Sequence, residues 1–213
     1  MTIQAKKKLL LIGGGGHCRS CIDVIRSTKQ YDIVGILDVA EKVGETVDGV
    51  PVVGTDTEMD KYLASADKCL ITVGQIGTGE LREKLYQMAV DKKAELATVV
   101  SSNAYTAKTA TLKSGTIVMH GAIVNAGATV AENVILNSFS LIEHDACIGA
   151  HTHISTRATV NGGSVINQCS FLGSHAVVFN QIEIGEHSVI GGGQVVRQNM
   201  PRLTRPEDFL NIR

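Results

Sequence analysis

The sequence predicts a fold of class α/β plus β, a small Rossmann-like parallel sheet followed by a left-handed parallel β-helix of hexapeptide repeats. Three observations carry this. From Leu112 onward, every sixth residue through Val196 is Ile, Leu or Val, with no exception and no insertion. The first hundred residues instead alternate apolar runs, a glycine turn and helical segments. The composition fits both parts: 19 Ile, 15 Leu, 23 Val and 22 Gly stand among 213 residues, with four Phe, four Tyr and no Trp.

Taken in order, Lys7 to Ile12 reads as a buried parallel strand that runs into Gly13-Gly14-Gly15-Gly16-His17, with a helix from about Arg19 to Ser27. Asp32 to Asp38 reads as a second strand ending in an acid, and Lys68 to Gly74 as a further strand. Glu80 to Asp91 reads as a helix. Sheets of this kind bind ligands at the carboxyl ends of their strands, where a glycine turn lets a phosphate reach helix N-terminal N–H groups. The turn does not fit GxGxxG, because Cys18 stands at the third glycine position. Asp38 follows Gly13 by one helix and one strand, a spacing that suits contact with a ribose or a base. A nicotinamide dehydrogenase is disfavoured, because the second half offers no dehydrogenase substrate domain.

In the second half the anchors are Leu112, Val118, Val124, Val130, Leu136, Ile142, Ile148, Ile154, Val160, Ile166, Leu172, Val178, Ile184, Ile190 and Val196. Small residues recur four positions after them, as at Thr116, Ala122, Ala128, Ser140, Ala146 and Thr152. Period six matches neither an amphipathic helix nor a simple strand. It matches a strand-and-turn unit, three of which close one triangular coil, so the block holds five coils. The interior is narrow, which explains aliphatic anchors and scarce rings. Turns at every hexapeptide favour glycine, as in Ile148-Gly149, Leu172-Gly173, Ile184-Gly185 and Ile190-Gly191. The expected domains are 1–100, 101–200 and a C-terminal tail, 201–213.

Several function classes are excluded. Twenty Lys plus Arg against 21 Asp plus Glu leave no general field for nucleic acid or an anionic membrane. No apolar run is long enough for membrane insertion, and the run before Gly13 is too short for a secretory leader, so a cytoplasmic protein is expected. Five scattered cysteines fit reduced core thiols, including the lone CxxC of Cys18 and Cys21. No metal is expected: His151 and His187 are two coils apart, and Gly192 stands where a third ligand is wanted.

Acyl transfer to an amine or hydroxyl needs a base, and imidazole titrates near working pH. Among seven histidines, His144 is set between Glu143 and Asp145, either of which can orient the ring. His151 and His153 follow half a coil later, and both His144 and His153 are expected near turns. His120, His151, His175 and His187 read as solvated turn residues. Stacking of one coil on the next places Phe139, Arg157 and His175 in one column.

These segments carry a resemblance over almost the whole chain, from about Lys7 to Val196. LLLIGGGGH, GILD ending at Asp38, ITVG ending at Gly74, VILNSFSLIEHDACIGAHTHIS, NGGSV, CSFLGSHAVV and SVIGGG are similar to those of sialic acid O-acetyltransferases and UDP-4-amino-sugar N-acetyltransferases. The resemblance implies a homotrimer with sites at subunit interfaces, acetyl-CoA as co-substrate along the groove between neighbouring β-helices, and a nucleotide sugar on the first domain. It implies His144 as general base with Asp145 as its acid, and His153 beside the acetyl thioester. It implies Gly162 and Gly173 where backbone approaches the cofactor, and Gly13, Gly16, His17, Asp38 and Gly74 in the nucleotide-sugar pocket. The implied activity is N-acetylation of a UDP-4-amino-4,6-dideoxy sugar in bacterial glycan biosynthesis. O-acetylation of a sialic acid, or nucleotide-sugar binding without catalysis, are the alternatives. The chain departs from the family pattern at Ser155-Thr156-Arg157 and at Met200 to Pro206, where the usual Gly-x-Pro-Ala-Lys is missing.

Overall fold

A computed structural model describes residues 5–207. Residues 1–4 of the leading segment and 208–213 of the expected tail lie outside it. The chain divides into two compact units, one of residues up to Gly74 with Leu81–Ser102, the other of Gln75–Glu80 with the chain from Asn103 onward.

The first unit is the expected small sheet. β1 (Lys7–Ile12), β2 (Tyr31–Leu37), β3 (Thr46–Val47), β4 (Val50–Gly54) and β5 (Lys68–Ile71) lie in the order β3-β4-β2-β1-β5. β1 pairs in parallel with β2 and β5, β2 with β4, and only β3 is antiparallel. The unbroken apolar run Leu9 to Ile12 is fully buried, as a parallel strand requires. α1 (Gly16–Thr28) starts within the glycine turn, ahead of the expected start at Arg19. It buries Cys18, Cys21, Ile22, Val24 and Ile25. α2 (Met59–Leu63) buries Met59, and α3 (Glu80–Asp91) buries Arg82, Leu85, Tyr86 and Ala89. All five cysteines are free thiols. Burial raises the thiol of Cys18 to about 11, that of Cys69 to about 12 and that of Cys21 further, so these sulfurs are packing groups.

The second unit is the left-handed β-helix. Two-residue strands end on each anchor and pair in parallel with the strands one coil away, as Ile123 with Leu141 and Val124 with Ile142. Within this unit the first strand is Tyr105–Thr106, one strand before Leu112. Three sheets result, one running from Tyr105–Thr106 to Val195–Val196, one from Thr111–Leu112 to Glu183–Ile184, and one ending at Val189–Ile190. Every anchor from Val118 to Val196 is buried.

The turns are built differently from the expectation. Gly149 and Gly173 have no left-handed backbone; a Cβ on either would lie 2.5 Å from a backbone nitrogen of the next coil, at Gln168 or Gly192. They are close-approach glycines. The left-handed residue is instead the third after each anchor, at fourteen consecutive positions from Gly115 to Gly193. Nine are not glycine, among them Phe139, Asp145, His151, Arg157 and Gln181. Each such residue costs about 1–2 kcal/mol. The turn is kept because its N–H donates to the preceding coil: Phe139 to the carbonyl of His120 and Arg157 to that of Ser138, both at 3.0 Å. Stacking of the Phe139 column is also seen in Arg157, whose guanidinium sits 5.8 Å from the Phe139 ring centre.

Inside the turns, small hydroxyls extend the ladder. Thr116 Oγ1 donates to Ala131 O at 2.8 Å and accepts from Val134 N–H; Ser164 Oγ donates to Phe179 O at 2.6 Å. The last coil is closed by the tail. Ser188 Oγ donates to Pro201 O and accepts from Thr204 N–H, both at 3.2 Å, while Met200 bridges to Ile184 and Arg205 Nη1 donates to His187 O. Residues 200–206 therefore cap the prism. Replacing Ser188 by Ala leaves the buried Thr204 N–H without its acceptor, so urea unfolding should show a loss of about 1–3 kcal/mol. Trypsin should then cut faster after Arg202.

Candidate active site

In the first unit the glycine turn is tied to the end of β2. Asp38 Oδ2 accepts from the Gly14 N–H at 2.6 Å and from Lys42 Nζ at 3.0 Å, and Oδ1 accepts from the Val39 N–H at 2.7 Å. Partial burial pushes the Asp38 carboxyl up, but the Val39 N–H, the Lys42 ammonium and the Gly14 N–H outweigh it and hold the group below its ordinary value. Gly13 has φ +104 and packs its Cα on Val73, while a Cβ on Gly74 would lie 3.1 Å from His17 Cβ. Around Gly15 and Gly16 the space is open. Gly13, Gly16, His17, Asp38 and Gly74 thus gather where β1, β2 and β5 end and α1 begins, the place where sheets of this kind take their ligands.

In the second unit His144 and Asp145 occupy one turn after Ile142. The ring Nδ1 is 2.9 Å from Asp145 Oδ2, and both side chains are exposed, 62% and 72%. A carboxylate only accepts, so Nδ1 carries a hydrogen, and in the neutral ring Nε2 holds the lone pair. Glu143, the other candidate, is turned away: its Oε2 accepts from Asn125 Nδ2 at 2.9 Å and from the His144 N–H at 3.3 Å. The choice is made by the backbone. Asp145 takes the left-handed position, φ 60, and its N–H donates to Ala126 O at 3.0 Å, while His144 O accepts from Gly163 N–H at 3.0 Å.

Gly162, expected where backbone nears a cofactor, stands one coil from His144. A Cβ there would lie 2.5 Å from His144 Nε2 and 2.7 Å from Cε1. The missing side chain makes room for the imidazole. Gly173 is packed against the backbone at Gly192.

His153 differs from its expected place near a turn. It is a strand residue, 5% exposed, on the outward side of the anchor Ile154. Its Nδ1 is 2.7 Å from Gln75 O, its Nε2 is 3.1 Å from Asn137 Nδ2, and its ring meets Phe171 edge-on at 5.3 Å. Since a carbonyl only accepts, Nδ1 bears the hydrogen and Nε2 accepts from Asn137. Asn137 and Gln75 were not singled out from sequence. Asn137 is the residue after an anchor, one coil before Ser155, a signal the repeat contains; Gln75 is 78 residues from His153 and carries none.

The two clusters offer distinct chemistry: a turn able to receive a phosphate, and an exposed imidazole paired with a carboxylate and holding a free lone pair. Among the described residues no group of three or more His, Cys, Asp or Glu is placed to hold a metal, and no helix is long and apolar enough to cross a membrane.

Residues 8–89 match the PglD N-terminal domain family. No curated protein sequence matches the chain. Among solved structures, PerB from Caulobacter crescentus in complex with CoA and GDP-perosamine is similar over 94% of both chains, with 28% identity and a TM-score of 0.86. The acetyltransferase domain of PglB from Neisseria gonorrhoeae FA1090 in complex with acetyl coenzyme A is similar over 92% of this chain and 94% of its own, at 26% identity and TM-score 0.83. WeeI from Acinetobacter baumannii AYE shares the fold, at 21% identity, TM-score 0.77 and coverage of 91% and 93%.

Gly162→Ala places a methyl group in the space of the His144 ring. Acetyl transfer should therefore fall about a hundredfold or more while the melting temperature changes little, measured by thiol release and calorimetry. Asp38→Asn tests the glycine-turn tie. A lowered folded pKa adds stability above the ordinary carboxylate value of ~3.9 and loses it as pH falls through the lower folded value. The stability gap between wild type and variant, read by urea midpoints, should therefore be constant near neutrality and close below pH ~4.

Proposed function

We propose that this chain, a member of the hexapeptide-repeat acetyltransferases with a PglD-type N-terminal domain, acetylates the amine of a nucleotide-linked 4-amino-4,6-dideoxy sugar from acetyl-CoA. The observation that carries the reading is the His144–Asp145 pair, exposed on its turn with Nε2 unencumbered above Gly162. The sugar amine attacks the thioester carbonyl carbon. His144 Nε2 takes the proton from the nitrogen, Asp145 stabilises the imidazolium, and the tetrahedral intermediate expels the CoA thiolate, which recovers the proton. The amide and free CoA leave.

The glycine turn and the N-terminus of α1 serve as the site for the sugar-nucleotide diphosphate, with Asp38 keeping the turn in shape. UDP is the nucleotide that the sequence resemblance implies; the Caulobacter structure holds GDP-perosamine. His153, neutral and held on both nitrogens, lines the acetyl group.

Geometry also favours a homotrimer. His144 stands at the corner between the sheets of Leu141–Ile142 and Cys147–Ile148, and His153 faces outward from the third sheet. In a triangular prism a corner is opposite the third face, so a site using both histidines takes two copies of the chain. The outer face of the first sheet is apolar, with Tyr105 58%, Ile123 38% and Val195 41% exposed, as a subunit contact requires.

His144→Ala should lower CoA release about 10²–10⁴-fold with folding unchanged. In a panel of UDP- and GDP-linked amino sugars against free sialic acids, activity confined to the amino sugars supports the reading. Activity on sialic acid alone, or full activity of His144→Ala, refutes it. Mixed trimers refolded from His144→Ala and His153→Ala subunits should regain activity that neither variant has alone. No recovery would place both histidines of one site in one chain.

A further inference from the structure

Arg82 is a charged residue that the acetyl-transfer step does not use, yet it is 1% exposed. It sits in the first turn of α3, and burial depresses its guanidinium. Its Nη1 donates to Ile71 O at 2.6 Å and to Val73 O at 2.9 Å. Ile71 ends β5 and Val73 lies two residues beyond it, against the glycine turn that follows β1. Between them, Thr72 donates its N–H to Ile12 O at 2.8 Å and its Oγ1 to Gly13 O at 2.6 Å. Val73 packs on the Cα of Gly13, and Gly74 against His17. One side chain therefore pins both ends of the segment from Ile71 to Val73, which shapes Gly13 and His17.

From this arrangement we infer that Arg82 is a positioning residue for the nucleotide-sugar diphosphate. It holds residues 71–74 so that the glycine turn keeps its N–H groups aimed at the phosphates. It also places a positive charge behind the turn, where low dielectric lets that charge act on an anion. Because both bonds leave the one nitrogen Nη1, a lysine in its place keeps the charge and has an ammonium able to donate to the same two carbonyls. The inference rests on the reading of the first unit as the nucleotide-sugar site. It goes beyond that reading by assigning affinity to a residue outside the glycine turn.

The test compares wild type, Arg82→Met and Arg82→Lys in two measurements. One is binding of UDP and of GDP by titration calorimetry; the other is steady-state KM for the nucleotide sugar and for acetyl-CoA. Arg82→Met should weaken nucleotide binding and raise the sugar KM tenfold or more, with the acetyl-CoA KM within twofold. Arg82→Lys should recover most of the loss, to within about threefold of wild type. Should Arg82→Met fail to fold, Arg82→Lys decides alone: a two- to threefold rise in the sugar KM with the acetyl-CoA KM unmoved supports the role, and an unmoved sugar KM overturns it. Equal changes in both KM values, or a folded Arg82→Met with unchanged nucleotide binding, overturn the role of Arg82 while leaving the nucleotide-sugar site in place. If wild type binds neither UDP nor GDP, the underlying reading falls and takes this one with it.

Discussion

Coil-on-coil stacking, with every strand paired to the strand three hexapeptides on, is the constraint on which the second unit depends. Each turn must bend the chain from one face to the next in the same way, and the third residue after each anchor from Leu112 to Ile190 accepts a left-handed backbone to do so. Nine non-glycine residues in that conformation amount to a standing strain. It is offset by a donated N–H to the preceding coil at each level and by hydroxyl ladders such as Ser164 to Phe179 and Ser170 to Gly185. Because the turns repeat so closely, a side chain on one is fixed against the side chain one coil away.

The His144–Asp145 pair is a direct product of that stacking. Asp145 is placed by its turn, and Glu143 is drawn off by Asn125, which stands one coil before it. Gly162, one coil on, leaves the gap in which the imidazole lies. His144, Asp145 and Gly162 sit in turns of a stack whose anchors from Val118 onward are buried.

Much of this was legible in the sequence, for identifiable reasons. The period of six survives because the prism interior tolerates only aliphatic anchors, so the pattern has no exceptions from Leu112 to Val196. The strand–glycine–helix order of the first unit reads equally well, down to Asp38. The turn residue was hidden because Phe, Arg, Cys, Gln and His all occupy it, and composition points instead to the glycines after the anchors. His153 was misplaced because a histidine in a strand looks polar and exposed, whereas Gln75, Asn137 and Phe171 enclose it. Arg82 gave no sign, since a buried arginine in an amphipathic helix reads as a solvated one.

Stacking sets the His144 ring against Asp145, which leaves the lone pair of the neutral ring on Nε2. Nitrogen-15 NMR of the histidine-labelled protein at pH ~8.5, above the ordinary imidazole range, reads this directly. His144 should carry its hydrogen on Nδ1 and have an unprotonated Nε2, and Asp145→Asn and Gly162→Ala should both weaken this preference. A His144 ring protonated on Nε2 in the wild-type enzyme would contradict it.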